Sequence, residues 1–173
     1  WGAEVFPGSS LPNAMVQVSP VTKFHSGAGY QYEDSVIYGF THTNKGHWNL
    51  CHIPLLPVTG TPTPGDYCSP FSHERESAAP GYYQVFLDRY GVDAQLSSTL
   101  RCAFHKYTYP AGAAASLLAD LQRSNEHVRA WDIRKEGDNV FAGWQQTGEK
   151  MYFYAVANRP VTGIEPVVEG DRE

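Results

Sequence analysis

GYYQVFLDRYGVDAQLSSTLRCAFHKYTYP, running from Gly81 to Pro110, decides the fold. Apolar and polar positions largely alternate through YYQVFLDRY, again through AQLSSTLR, and again through AFHKYTY. Successive side chains of a strand point to opposite faces, so a period of two marks a half-buried strand, whereas a helix repeats every 3.6 residues. Gly91 offers a turn between the first two runs. The stretch therefore predicts an antiparallel meander with one face on a core.

The same signature extends outward in both directions. Upstream, Ala14 to Ser19 and Ser35 to Phe40 are short runs rich in Val, Ile and Tyr between Gly, Pro and Ser clusters, which predicts brief strands in a loop-rich first third. Downstream, SLLADLQ follows Pro110 and an Ala-rich run; its length and apolar content suit a helix start or a buried strand, and strand is preferred. His127 to Arg134 and Val140 to Gln146 flank the turn-rich KEGDN, and Lys150 to Ala157 supplies one more strand. Many short strands and hardly any helical pattern predict an all-β, antiparallel β-sandwich. The tail VTGIEPVVEGDRE closes no sheet, so the expectation is one truncated domain over residues 1–173 whose last strands lie beyond Glu173.

Composition narrows the function. A chain of 173 residues can bury about two-thirds of the surface its unfolded form exposes. Its net charge of -5 is spread along the sequence, without the Lys/Arg stripe that phosphate binding requires, so nucleic acid and anionic membrane surfaces are not expected partners. No apolar run approaches the roughly 18 residues of a membrane span, and no charged-then-apolar leader opens the chain at Trp1. Cys51, Cys68 and Cys102 make no disulfide framework, and their odd number leaves one thiol unpaired. Eleven Tyr and four Trp suit strand faces and sugar-binding clefts alike.

Catalytic motifs are sparse. His73-Glu74 lacks the second His that a zinc-protease helix needs, since Ser77 holds that position. His42, His47 and His52 stand five apart in a segment broken by Gly46 and Pro54, so no single helix face presents them to a metal. Glycoside hydrolysis requires two carboxyl groups flanking the scissile oxygen. Glu33, Asp34, Glu74, Glu76, Asp88, Asp93, Asp120 and Asp132 are present, yet spacing pairs no two of them. The most unusual stretch is THTNKGHWNLCHIP, Thr41 to Pro54. Its Trp48 fits a stacking platform for a sugar ring, with Asn and His as hydroxyl partners, and fits a core tryptophan equally well.

Four ordered blocks carry a family resemblance. EVFPGSSLPNAMVQVSP (residues 4–20), GYQYEDSVIYGFTHT (29–43), FSHERESAAPGYYQVFL (71–87) and RCAFHKYTYP (101–110) resemble the opening of glycoside hydrolase family 92, a family of exo-acting α-mannosidases. The likeness runs from about Glu4 to Asp120. It implies an N-terminal β-sandwich paired with a C-terminal (α/α)6 barrel of the same polypeptide, and inverting, calcium-dependent cleavage of terminal α-mannosides at their junction. The catalytic carboxylates and most calcium ligands belong to the barrel by this resemblance, so no catalytic or metal-binding residue is expected here. What the sandwich lends to the mannose pocket is the Phe6-Pro7-Gly8 turn and the loop Asn44 to Cys51, giving Phe6, Gly8, His47, Trp48, Asn49 and Cys51 as substrate-binding candidates. That loop departs from the family's usual His-Leu-Ser-Gly then Gly-Cys wording, so linkage specificity transfers least. His73, Glu74 and Glu76 read as structural or surface groups beside the Pro80-Gly81 turn. The resemblance also implies a periplasmic or secreted enzyme acting on mannose-containing glycans. A free-standing carbohydrate-binding sandwich without catalysis is the alternative.

Overall fold

A computed structural model describes residues 5–46 and 48–167. Among them the strands are β1 (Ser9–Ser10), β2 (Gln17–Val21), β3 (Val36–Ile37), β4 (Gly39–Thr41), β5 (Asn44–Lys45), β6 (Trp48–Asn49), β7 (Leu55–Thr59) and β8 (Ser69–Pro70). There follow β9 (Glu76–Ala79), β10 (Tyr82–Leu87), β11 (Val92–Ser98), β12 (Ala103–Thr108), β13 (Ala115–Ala119), β14 (Ala130–Lys135), β15 (Val140–Gln146) and β16 (Lys150–Val156). The described residues form no α-helix, only the single 3-10 turn His73–Arg75. The protein is an antiparallel all-β sandwich, as its alternating runs predict.

The meander supplies one sheet, in the order β12-β11-β10-β9. Its register sets Tyr83 opposite Leu96, Val85 opposite Ala94 and Leu87 opposite Val92, and all six are buried. These are the in-pointing members of the period-two pattern. The facing sheet, β1-β2-β4-β7-β13, contributes Val18, Phe40, Leu56 and Val58 to the same cluster. Removing each such side chain from water is worth about 1.5–3 kcal/mol, so the interior between the two sheets dominates stability. Pro20 sits inside β2 without harm, because β1 pairs only with Gln17 and Val18 and ends before reaching it.

Two expectations need correction in detail. The SLLADLQ segment does form a strand, but β13 is an edge that pairs only with β7, and its first three residues are exposed. An edge strand is covered along one side only, so apolar content there does not imply burial. The strand expected over Ala14 to Ser19 instead begins at Gln17, since Ala14 donates its N–H to the Leu11 carbonyl and closes a turn.

A third sheet, β14-β15-β16, flanks the sandwich. Trp131, Gln145 and Met151 form one inward row, and Ile133, Gly143 and Phe153 the next. Ile133, Met151 and Phe153 pack on Ile53, Leu55 and Leu121 as a second, smaller cluster. Gly143 permits this: a Cβ there would fall 2.1 Å from the Asp132 carbonyl oxygen. The opposite face leaves Tyr152, Tyr154 and Val156 exposed.

Candidate functional site

The two segments singled out as pocket-lining, the Phe6 turn and the Trp48 loop, are joined through strands β2 and β4 of the five-stranded sheet. Gly8 lies so close to β2 that a Cβ would fall 2.0 Å from the Val18 carbonyl oxygen and 2.5 Å from the Ser19 Cα, so only glycine seats this turn. Ser9 then reaches across to the other sheet, where its hydroxyl lies 2.7 Å from that of Ser98. One strand over, Ser19 stands opposite Thr41. The Thr41 hydroxyl lies 3.1 to 3.2 Å from the two amide heavy atoms of Asn49. Gly8, Ser19, Thr41 and Asn49 thus form a continuous line from the turn to the loop.

Five of the six candidate residues have a definite place on this shelf. Phe6 is half-buried at the turn. Trp48 sits on the short hairpin β5-β6 opposite Lys45, with Gly46 at the left-handed position of its turn, and is 43 % exposed. The structure therefore takes Trp48 out of the core. Asn49 and Cys51 are wholly enclosed. The Asn49 Oδ1 accepts the Cys51 N–H at 2.8 Å, and Gly29 packs against both side chains where any Cβ would collide. These two residues hold the loop, and their side chains do not reach solvent. His47 lies outside the described residues. Both amide atoms of Asn44 are enclosed and find no partner among the described residues, which marks the hairpin as a place where polar capacity is unspent.

Behind the loop is a polar clamp. Asn125 donates through Nδ2 to the Asn49 carbonyl at 2.7 Å and to the Ser26 carbonyl at 3.2 Å, while its Oδ1 accepts the His25 N–H. His52 is buried, with Nε2 3.3 Å from a Glu126 carboxylate oxygen and Nδ1 2.9 Å from the Thr43 hydroxyl. With Glu126 ionised, this network places the His52 proton on Nε2. Burial keeps the His52 pKa below the ordinary imidazole value, and Glu126 pulls against that. Gln145 is fully buried; it accepts the Ile53 N–H and donates to the Leu121 and Arg123 carbonyls. Three non-glycine residues here, His25, Cys51 and Ile53, have φ between 53 and 58°. For Ile53, β-branched and followed by Pro54, that conformation is a true outlier. Such strain persists only where the surroundings enforce it, and it clusters at functional sites.

The sequence reading missed Asn125, Glu126, Gln145 and Thr147 because their partners lie 21 to 100 residues away in the chain. Nothing local marks them. His73 and Glu76 take structural places. The Glu76 carboxylate accepts from Tyr30, from Tyr83 at 2.6 Å and from His73 Nδ1, while His73 Nε2 faces the Tyr32 carbonyl at 2.7 Å. With acceptors on both nitrogens, and chiefly through Glu76, the His73 pKa is raised. Glu74 is exposed. Other acids have their own partners, Asp88 with Arg75, Asp93 with Gln84 and Gln95, and Asp120 with Tyr67. Among the described residues no three metal-binding side chains converge.

Fold and shelf together define a β-sandwich domain that presents an aromatic ring on a loop over a rigid polar base. Residues 1–172 match the glycosyl hydrolase family 92 N-terminal domain, and the chain belongs to that family. This carries the likeness past Asp120, where it faded to the eye. Among solved structures, the family GH92 α-mannosidase BT3965 from Bacteroides thetaiotaomicron superposes with a TM-score of 0.85 at 27 % identity, over 92 % of this chain and 24 % of that one. The complex of BT3965 with mannoimidazole gives 0.84 at 28 % identity, over the same shares of the two chains. The family GH92 inverting mannosidase BT2199 from Bacteroides thetaiotaomicron gives 0.72 at 23 %, over 86 % of this chain and 21 % of that one, a likeness of fold alone. No curated protein sequence matches the chain. The chain thus spans about a quarter of the length of the solved relatives it matches. No helix among the described residues is long and apolar enough to cross a membrane.

Proposed function

We propose that this chain is the pocket-lining sandwich of an exo-acting α-mannosidase whose active site is completed by a catalytic (α/α)6 barrel in the same polypeptide. The observation that carries this reading is the family match across residues 1–172. The exposed Trp48 on its clamped hairpin adds a physical means. A sugar's ring hydrogens give it an apolar face, which an indole can cover while polar groups beside it meet the hydroxyls. Phe6 and Gly8 shape the neighbouring wall, and Asn49 and Cys51 fix the backbone that aims Trp48. Rigid placement of such a wall lowers the entropic cost of holding a sugar in reactive orientation.

The chemistry of the whole enzyme is inverting hydrolysis of terminal α-mannosides, with α-1,2 linkages as its substrate and N-glycans outside the cytoplasm as its source. The paired carboxylates come from the barrel. The full enzyme depends on calcium. Among the described residues no three metal-binding side chains converge; the role proposed for this domain is to bind and orient the sugar.

Hydrolysis of an aryl α-mannoside, with calcium and with chelator, tests this on the chain alone and on a polypeptide extended through the downstream coding sequence. Activity confined to the extended form and abolished by chelator is expected. Turnover by this chain alone contradicts the division of labour, and sugar binding by the chain with neither form active replaces it with a carbohydrate-binding module.

A further inference from the structure

We infer that the groove between Trp48's loop and Trp131 is a second sugar subsite, which holds the part of an oligosaccharide beyond its terminal residue. It rests on the reading of the Trp48 shelf as the place of the terminal sugar. Two open clefts form the groove, of about 420 and 470 Å3, and they share Gln122 and Val128 as common lining. The first begins at His25 and Ser124. Ser124 donates its hydroxyl to the Leu50 carbonyl at 2.9 Å, two residues past Trp48, so the groove opens directly behind the shelf. The second ends at Arg129 and Trp131.

Trp131, on the edge strand β14, marks this groove. Its register with Gln145 and Met151 places it on the inward row of the third sheet, where Gln145 is fully buried. Trp131 nevertheless remains 42 % exposed. An indole on an inward row that stays open to solvent offers an apolar ring face within a cleft, the arrangement that stacks on a sugar. Gln122 and Arg129 line the same cleft as Trp131, and His25 and His127 line the adjoining one; their side chains carry polar groups committed to no protein partner among the described residues, and these suit sugar hydroxyls.

The groove is also preformed. Gln145 Nε2 pins the Leu121 and Arg123 carbonyls, the Arg129 N–H donates to the Gln146 carbonyl at 2.8 Å, and the His25 N–H is held by Asn125. Arg123 lies over the rings of Phe24 and Tyr38, so its guanidinium is fixed as part of the wall. Glu126 is occupied by Thr147 and His52. Little has to be ordered when a ligand enters, which favours binding of a weakly held chain of sugars. A shallow, hydroxyl-matching cleft with one aromatic face fits an oligosaccharide better than a compact apolar ligand.

The test uses this chain labelled with 15N, titrated with α-linked mannotriose and separately with methyl α-mannoside, following the indole N–H signals of Trp48 and Trp131. Mannotriose is expected to shift both, and methyl α-mannoside only Trp48. Trp131→Ala should weaken mannotriose binding about tenfold and leave the methyl α-mannoside response intact. If that variant loses its dispersed spectrum, Gln122→Ala takes its place with the same expectation. A silent Trp131 signal beside a responding Trp48 overturns the groove and leaves the shelf reading standing. A responding Trp131 beside a silent Trp48 overturns the placement of the groove beyond a terminal sugar on the shelf, and silence at both overturns the groove.

Discussion

The interior between the two main sheets and the shelf joined through β2 and β4 solve opposite problems. In the interior, side chains alternate, backbone conformations are ordinary, and stability comes from apolar area: Tyr83, Phe40 and Leu96 are buried with 0 to 1 % exposure. On the shelf, the backbone bends through left-handed residues, polar side chains bridge distant segments, and a tryptophan is left in water. The contrast teaches that this chain stabilises itself in one place and spends that stability in another, as strained functional sites do.

The largest expected effect would come from breaking the interior. Phe40→Ala empties a fully buried site and should cost about 3–5 kcal/mol in denaturant unfolding, enough to threaten the fold of a domain this size. Next is the clamp that joins the two regions. Gln145→Ala removes the partner of one N–H and two carbonyls, and should cost about 2–3 kcal/mol with faster amide exchange at Ile53.

Protonation sharpens the comparison further. In the interior, His42 and His105 face each other at 2.9 Å between Nε2 atoms, and burial holds His42 down to about 4 and His105 well below the ordinary imidazole value. A histidine pKa lowered by folding means that the unfolded chain binds more protons, so stability is full above pH 6.5 and falls as pH drops toward 4. His73, beside the Tyr32 loop, has the opposite sign. Its raised value contributes stability below about pH 6.5, which is lost as pH rises through the folded pKa. Thermal unfolding from pH 4 to 8 checks both: His105→Gln should flatten the acid limb, and His73→Gln the alkaline one. The smallest expected effect on stability is that of Trp48→Ala, within about 0.5 kcal/mol, because the ring is already wet.

The two regions also differ in how far the sequence discloses them. β10 and β11 are legible because burial follows the period of two through Tyr83, Val85, Leu87, Val92, Ala94 and Leu96, whereas β12 keeps the period but turns Phe104 to solvent. β13 is legible as a strand but not as an exposed edge, since nothing within SLLADLQ says that only β7 lies beside it. Phe6 and Gly8 are legible only through the family resemblance, and the Trp48 loop through its unusual residue content as well as that resemblance, none of them through a local period. Trp48's exposure, and the enclosure of Asn49 and Cys51 beneath it, required the fold. Asn125 and Gln145 were illegible in principle, because a buried amide is defined by the carbonyls that it meets, and those come from segments far away in the chain.

The central claim, that Trp48 belongs to the sugar and not to the fold, is tested most directly by kcat/KM for an aryl α-mannoside in the extended polypeptide carrying Trp48→Ala. The account predicts a loss of about tenfold or more, equivalent to roughly 1–3 kcal/mol of transition-state binding, with an unchanged unfolding midpoint. An unchanged kcat/KM, or a loss that merely follows unfolding of the domain, would contradict it.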